Sequence, residues 1–107
     1  MKRYGQVIKI RPEMLEKYKK LHAAIWPAVA QKITECNIKN YSIFMRDGYL
    51  FAYFEYVGED FAADMAKMAQ DKATQEWWAE TDPCQMPVDS AGEGVWWADM
   101  EEVFHLD

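Results

Sequence analysis

Apolar residues along this chain fall into four short strand-like runs and two longer stretches with helical spacing. Tyr4 to Ile10 (Y-G-Q-V-I-K-I) is β-branched with partial alternation and predicts a first strand. Arg11-Pro12-Glu13 opens a helix, with proline near its first turn and an acidic residue beside it. The helical stripe runs through Leu15, Tyr18, Leu21, His22 and Ile25. Pro27 lacks an N–H and crowds the turn before it, so a kink or restart is expected there. Val29 and Ile33 then carry the stripe to about Cys36.

The second half repeats the theme. Tyr41 to Met45 (Y-S-I-F-M) is a second strand, Arg46-Asp47-Gly48 a hairpin turn, and Tyr49 to Val57 (Y-L-F-A-Y-F-E-Y-V) a third strand. Gly58-Glu59-Asp60 ends it. Phe61 to Ala79 is rich in Ala and Met and helical, with a break near Asp71. Thr81 to Trp97 carries Pro83, Pro87, Gly92 and Gly94 and predicts a long loop. Met100 to Leu106 (M-E-E-V-F-H-L) closes as a fourth strand. The order β-α-β-β-α-β is the ferredoxin-like arrangement, an α+β fold with one antiparallel sheet and helices on one face. Residues 1–107 form a single domain with no internal repeat or linker.

Composition changes that picture in one respect. Aromatics make up 15% of the chain, with five Trp, six Tyr and five Phe, too many for one small core. Some must line a pocket or an interface, and the uncovered sheet face calls for a second subunit, hence a homodimer. The net charge of −6 argues against nucleic acid. No apolar run approaches membrane length, and the N-terminal Met-Lys-Arg-Tyr-Gly-Gln is unlike a signal peptide. The expectation is a cytoplasmic protein without membrane contact. Cys36 and Cys84 stand apart with no metal-like spacing and suggest no disulfide framework.

Candidate chemistry is sparse. Tyr18 and His22, four residues apart, share one helix face, and an imidazole titrating near ~6.5 suits proton transfer at neutral pH. Such pairs are also common packing features, and spacing alone favours packing. Trp77 and Trp78 point about 100° apart on a helix, so one can serve the core while the other faces a cavity or partner. Trp96 and Trp97, after a Gly-containing loop, suit a cap over the sheet or a dimer contact. Met65 and Met68 belong to the core. Glu101 and Glu102 are expected on opposite faces of the last strand, one of them reaching inward; His105 is expected at the surface. No phosphate loop, H-E-x-x-H, C-x-x-C or Ser-His-Asp signature is present, and two histidines do not make a protein-built zinc site.

Several motifs, taken together and in order, resemble the L-rhamnose mutarotase family. They are Y-x-x-x-H-x-x-x-W-P (Tyr18, His22, Trp26, Pro27), N-Y (Asn40-Tyr41), W-W (Trp77-Trp78), M-P (Met86-Pro87) and E-V-F-H-L (Glu102 to Leu106). The resemblance implies a dimer of ferredoxin-like subunits, of the dimeric α/β-barrel type. It implies a cofactor-free, metal-free aldose 1-epimerase that interconverts the α and β anomers of L-rhamnose. It implies His22 as proton donor, with Tyr18, Tyr41, Trp77 and Trp78 binding the sugar. The loop from Asp82 to Trp97 departs from the shorter pattern of enterobacterial members, which keeps another 6-deoxy sugar such as L-fucose as an alternative substrate. Haem- and quinol-binding monooxygenases of the dimeric α/β-barrel type are the alternative class. The residue chemistry agrees: mutarotation moves one proton off the anomeric hydroxyl and one onto the ring oxygen, which acid–base side chains can do alone. The stretch H-A-A-I-W-P then has a reading: Pro27 interrupts the helix, Trp26 packs the bend, and His22 and Tyr18 face the sheet, with sugar between them and Trp77 or Trp78.

Overall fold

In a computed structural model describing residues 1–107, the chain begins with a strand, Lys2–Ile10 (β1). A 3-10 turn at Pro12–Met14 leads into helix Leu15–Ala23 (α1), followed by helix Pro27–Glu35 (α2). Strands Ile38–Arg46 (β2) and Tyr49–Tyr56 (β3) form a hairpin. Helices Phe61–Gln70 (α3) and Lys72–Thr81 (α4) come next, then a 3-10 turn at Asp82–Cys84 and two short strands, Gln85–Met86 (β4) and Ala98–Met100 (β5). The sheet is antiparallel in the order β2-β3-β1-β4, and β5 also pairs with β1. This is the expected ferredoxin-like α+β arrangement.

Both helical breaks fall where the sequence puts them. Trp26 precedes Pro27 and is held extended at ψ 129°, as the residue before proline must be, so α2 starts afresh rather than continuing α1. Asp71 closes α3 and caps α4, its carboxylate accepting from the Thr74 N–H at 3.0 Å and the Thr74 hydroxyl at 2.8 Å. The hairpin turn uses Asp47 and Gly48, both at positive φ.

The end of the chain corrects the expectation. Met100 to Leu106 is not the fourth strand: pairing stops at Met100, and residues 101–107 are exposed without regular structure. The edge of β1 is instead shared. β4, inside the segment expected to be loop, pairs with Lys9 and Ile10, while β5 pairs with Gly5 to Val7. Glu101 and Glu102 therefore do not flank a strand. Neither is buried, and Glu102 is bound by Arg3 at 2.9 and 3.0 Å, an exposed pair that draws it outward.

Alternation in β3 assigns the faces. Leu50, Ala52, Phe54 and Tyr56 are buried under the helices, whereas Tyr49 and Phe51 are exposed on the other side. Two apolar clusters result. Ile8, Ile10, Tyr18, Leu50 and Cys84 form one; Ile38, Phe54 and Tyr56 form the other. Between them run the paired residues Ile43, Ala52, Gln6 and Asp99, where a small residue and a polar one interrupt the apolar surface. Gln6 donates to Asp99 Oδ1 at 2.9 Å.

One buried polar knot ties the second cluster together. Asp64 of α3 accepts hydrogen bonds from the Tyr56 hydroxyl and from Asn37 Nδ2 (3.0 Å), with Lys67 at 3.6 Å. Asn37 sits at φ 67°, a left-handed position that Asn tolerates. Gly58 lies against the same knot, where a Cβ would collide with the Tyr56 hydroxyl and Asp64. The bonds from Tyr56 and Asn37 hold the Asp64 carboxyl below the usual range. A carboxyl with a depressed folded-state pKa contributes stability above its unfolded value of about 3.9, and that stability is lost as pH falls through the folded value. Asp64→Asn is therefore expected to lower stability at pH 7 and to flatten its decline below pH ~4. Urea unfolding across that range checks this; an acid limb as steep as the wild type's would rule out Asp64 as its source.

Candidate active site

The helix-side face of the sheet meets α1 near His22. Tyr18 and His22 stack, ring centroids 4.1 Å apart and planes inclined by 29°, as their four-residue spacing allows. Trp77 of α4 meets the His22 ring edge-on at 5.2 Å, and Trp26 meets Trp77 edge-on at 5.2 Å. At the proline break Trp26 leaves the helix line and braces the tryptophan that braces the histidine.

Backbone geometry fixes the state of the imidazole. Nδ1 lies 2.9 Å from the Tyr18 carbonyl oxygen. A carbonyl only accepts, so Nδ1 carries the hydrogen and the neutral ring keeps its lone pair on Nε2. Nε2 has no protein partner, and no buried side-chain polar atom in the chain lacks one, so Nε2 opens to solvent. Partial burial lowers the His22 pKa, outweighing the opposing pull of the Tyr18 carbonyl. The tyrosines shift the other way. Burial raises Tyr18, partly offset by its bond to Gln85 and reinforced by Tyr41; burial of the hydroxyl end raises Tyr41.

Tyr41 reaches this face through an irregularity. Lys39 pairs with Glu55 and Ser42 with Tyr53, so β2 spends one extra residue between them. Asn40 takes up the bulge at φ 50°, and Tyr41 is re-aimed onto Phe54, ring centroids 5.6 Å apart. Tyr41 as a whole residue is 44% exposed, while burial around its hydroxyl disfavours the phenolate. Of the two adjacent tryptophans, Trp77 is buried and Trp78 is 37% exposed. The structure therefore gathers Tyr18, His22 and Trp77 closely and puts Tyr41 across the Phe54 side. Trp78 makes no ring contact with them.

Two further residues join the site: Gln85, which the sequence does not single out, and Trp96, expected only as a cap or a dimer contact. Gln85, in β4, is buried and donates through Nε2 to the Tyr18 hydroxyl at 3.2 Å. Trp96 donates through Nε1 to Gln85 Oε1 at 2.8 Å. Nothing periodic marks Gln85 in the sequence; a polar residue immediately before Met86-Pro87 is the only available signal. Two surface cavities are present. One, of about 490 Å³, is lined by Lys17, Lys20, Leu21, Ala24 and Trp26 on the outer side of α1. The other, of about 720 Å³, lies along the start of β1 and includes Tyr53, Asp99 and His105. Neither is lined by His22. No helix is long and apolar enough to cross a membrane.

The depressed His22 pKa has a readable consequence. The ring should titrate below the ordinary value of ~6.5. The unfolded chain then binds the extra proton first as pH falls, so His22 contributes to stability above ~6.5 and that contribution is lost down to the folded value. An NMR titration of the His22 Cε1 proton checks this. Trp77→Ala, by admitting water, should return the midpoint toward ~6.5; a midpoint at or above that value in the wild type would contradict the burial account.

A family model described as L-rhamnose mutarotase matches residues 3–106. An L-rhamnose mutarotase of Oceanobacillus iheyensis is 34% identical over 109 residues, and one of Bacillus subtilis 35% identical over 109 residues, each alignment covering 100% of both chains. Among solved structures, an L-rhamnose mutarotase from Formosa agariphila superposes with a TM-score of 0.77 at 22% identity, covering 100% of both chains. Tetracenomycin F2 cyclase from Streptomyces glaucescens superposes with a TM-score of 0.74 at 13% identity, covering 100% of this chain and 98% of its own.

Proposed function

Because the chain belongs to the L-rhamnose mutarotase family, we propose that it interconverts the α and β anomers of L-rhamnose, with His22 moving the proton. The observation that carries the residue assignment is the tied Nδ1, which leaves one lone pair on Nε2 facing open space beside an aromatic wall. A neutral imidazole begins as an acceptor. Nε2 takes the proton of the anomeric hydroxyl while the bond from C1 to the ring oxygen breaks, its electron pair going to that oxygen. The resulting imidazolium returns the proton to the ring oxygen, which is bonded to the same carbon and so lies within reach of the same nitrogen. The open aldehyde turns about C1–C2, and the reverse steps close the ring on the other face. His22 is thereby both acceptor and donor, and charge balances at every step.

The other residues bind. Tyr18 is too reluctant an acid to give up its proton and instead donates a hydrogen bond; Tyr41 offers a second sheltered hydroxyl. Trp77 and Trp78 supply apolar surface for the C–H face and the methyl group of a 6-deoxy sugar, whose burial is worth roughly 1 kcal/mol. NMR exchange transfer between the anomeric protons of L-rhamnose tests this. Wild type should accelerate exchange, and His22→Ala should lose on the order of 10²–10⁴-fold. L-fucose in the same assay ranks the sugars, and wild-type exchange at the enzyme-free rate for both would refute the function.

The reading includes a homodimer. The sheet face away from the helices carries Phe44, Tyr49 and Phe51, and Phe44 is 67% exposed. The tail adds Val103, Phe104 and Leu106, all strongly exposed. A single subunit leaves these apolar side chains in water, and a second copy across that face would bury them. Phe44→Glu should shift the light-scattering mass toward one subunit; an unchanged dimer would move the interface elsewhere.

A further inference from the structure

Trp96, Gln85 and Tyr18 form a chain of hydrogen bonds whose direction follows from donor chemistry alone. An indole N–H can only donate, so the Gln85 atom it meets at 2.8 Å must be the carbonyl oxygen. That orientation turns the Gln85 NH2 group toward the Tyr18 hydroxyl at 3.2 Å. An amide NH2 also only donates, so the Tyr18 oxygen must accept. The phenol's own hydrogen then points elsewhere, and no protein acceptor takes it. Gln85 is 4% exposed and held by β4 against Ile10 of β1, so the amide has little freedom to do otherwise.

We propose that Gln85 is a positioning residue, oriented by Trp96, which obliges the Tyr18 hydroxyl to donate its hydrogen to an oxygen of the bound sugar. The inference rests on the mutarotase reading and deepens it. Were Gln85 able to flip, its carbonyl would capture the Tyr18 proton and present the sugar with an acceptor instead. Trp96 prevents the flip, since the flipped amide would set an NH2 group against an indole N–H. The segment between β4 and β5, through Trp96, thus sets the polarity of a hydroxyl in the site. Bonds in such a row also polarise one another, so each strengthens the next.

Gln85→Glu reverses the polarity with little change of shape. An ionised carboxylate still accepts from Trp96 and now accepts from Tyr18 as well, drawing the phenol proton away from the sugar. Its kcat/KM for L-rhamnose anomer exchange should fall about tenfold at pH 7.5, the scale of one hydrogen bond. The ratio of variant to wild type should recover as pH falls and the new carboxyl regains a proton to donate, which a packing defect would not do. Trp96→Phe removes the orienting N–H at a position already 40% exposed, so the fold should hold, and a smaller loss is expected. Both losses should vanish in a Tyr18→Phe background, where the relay has no terminal hydroxyl. Near-UV circular dichroism checks that each variant folds; if Gln85→Glu does not, the Trp96→Phe pair decides. Losses equal in both backgrounds, or wild-type rates in both variants, would overturn the inference while leaving the mutarotase assignment standing. Absence of exchange by the wild type would instead overturn the function itself.

Discussion

The hydrogen bond between His22 Nδ1 and the Tyr18 carbonyl is the constraint on which the site depends. It is local, set by two residues one helical turn apart, and therefore survives any adjustment of the sheet. It selects the tautomer, aims Nε2 outward and lays the imidazole on the phenol ring. Everything else in the neighbourhood holds that arrangement from outside. Trp77 closes the ring's edge, Trp26 closes Trp77, and Pro27 lets Trp26 leave the helix line. A helix running straight from Leu15 to Glu35 would carry residue 26 on around the axis instead of turning it back toward α4.

Much of this was legible in the residues themselves, because it follows from rules acting over a few positions. Four-residue spacing paired Tyr18 with His22, Pro27 broke the helix, Asp71 divided the second one, and Asp47-Gly48 made the hairpin turn. The separation of Trp77 from Trp78 likewise follows from helical geometry: one went inside and the other stayed at the surface. Each depends on local backbone preference or periodicity, and the packing agreed with it.

What escaped depends on partners distant in sequence. Met100 to Leu106 has a strand-like pattern, but the β1 edge it needs is divided between β4 and β5, and pairing ends at Met100. Alternation cannot reveal that a neighbour is already taken. The bulge at Asn40-Tyr41 is visible only as a mismatch of register with β3, although an Asn able to take a left-handed backbone is the residue such a bulge needs. Gln85 and Trp96 sit in a stretch with no period at all. Their meaning comes from a 67-residue contact with Tyr18, which no spacing rule encodes.

One environment shifts all three titratable groups of the site, and in each case toward the uncharged form. Withdrawal from water penalises the imidazolium, which lowers His22, and penalises phenolates, which raises Tyr18 and Tyr41. At neutral pH the site therefore offers one lone pair and two hydroxyls with no formal charge among them. A neutral sugar entering such a place loses no hydration to a fixed ion and meets groups that can trade roles. The partial burial of His22 is then a compromise. Deeper burial would lower its basicity further and close Nε2, whereas full exposure would protonate more of it near neutrality and lose the tyrosine and tryptophan contacts that aim it. Mutarotation takes one proton off and puts one on in either direction, so its catalyst gains nothing from a strongly biased acid or base. An imidazole held below its ordinary basicity, with one nitrogen committed to backbone and the other open, suits that requirement in the role proposed for His22.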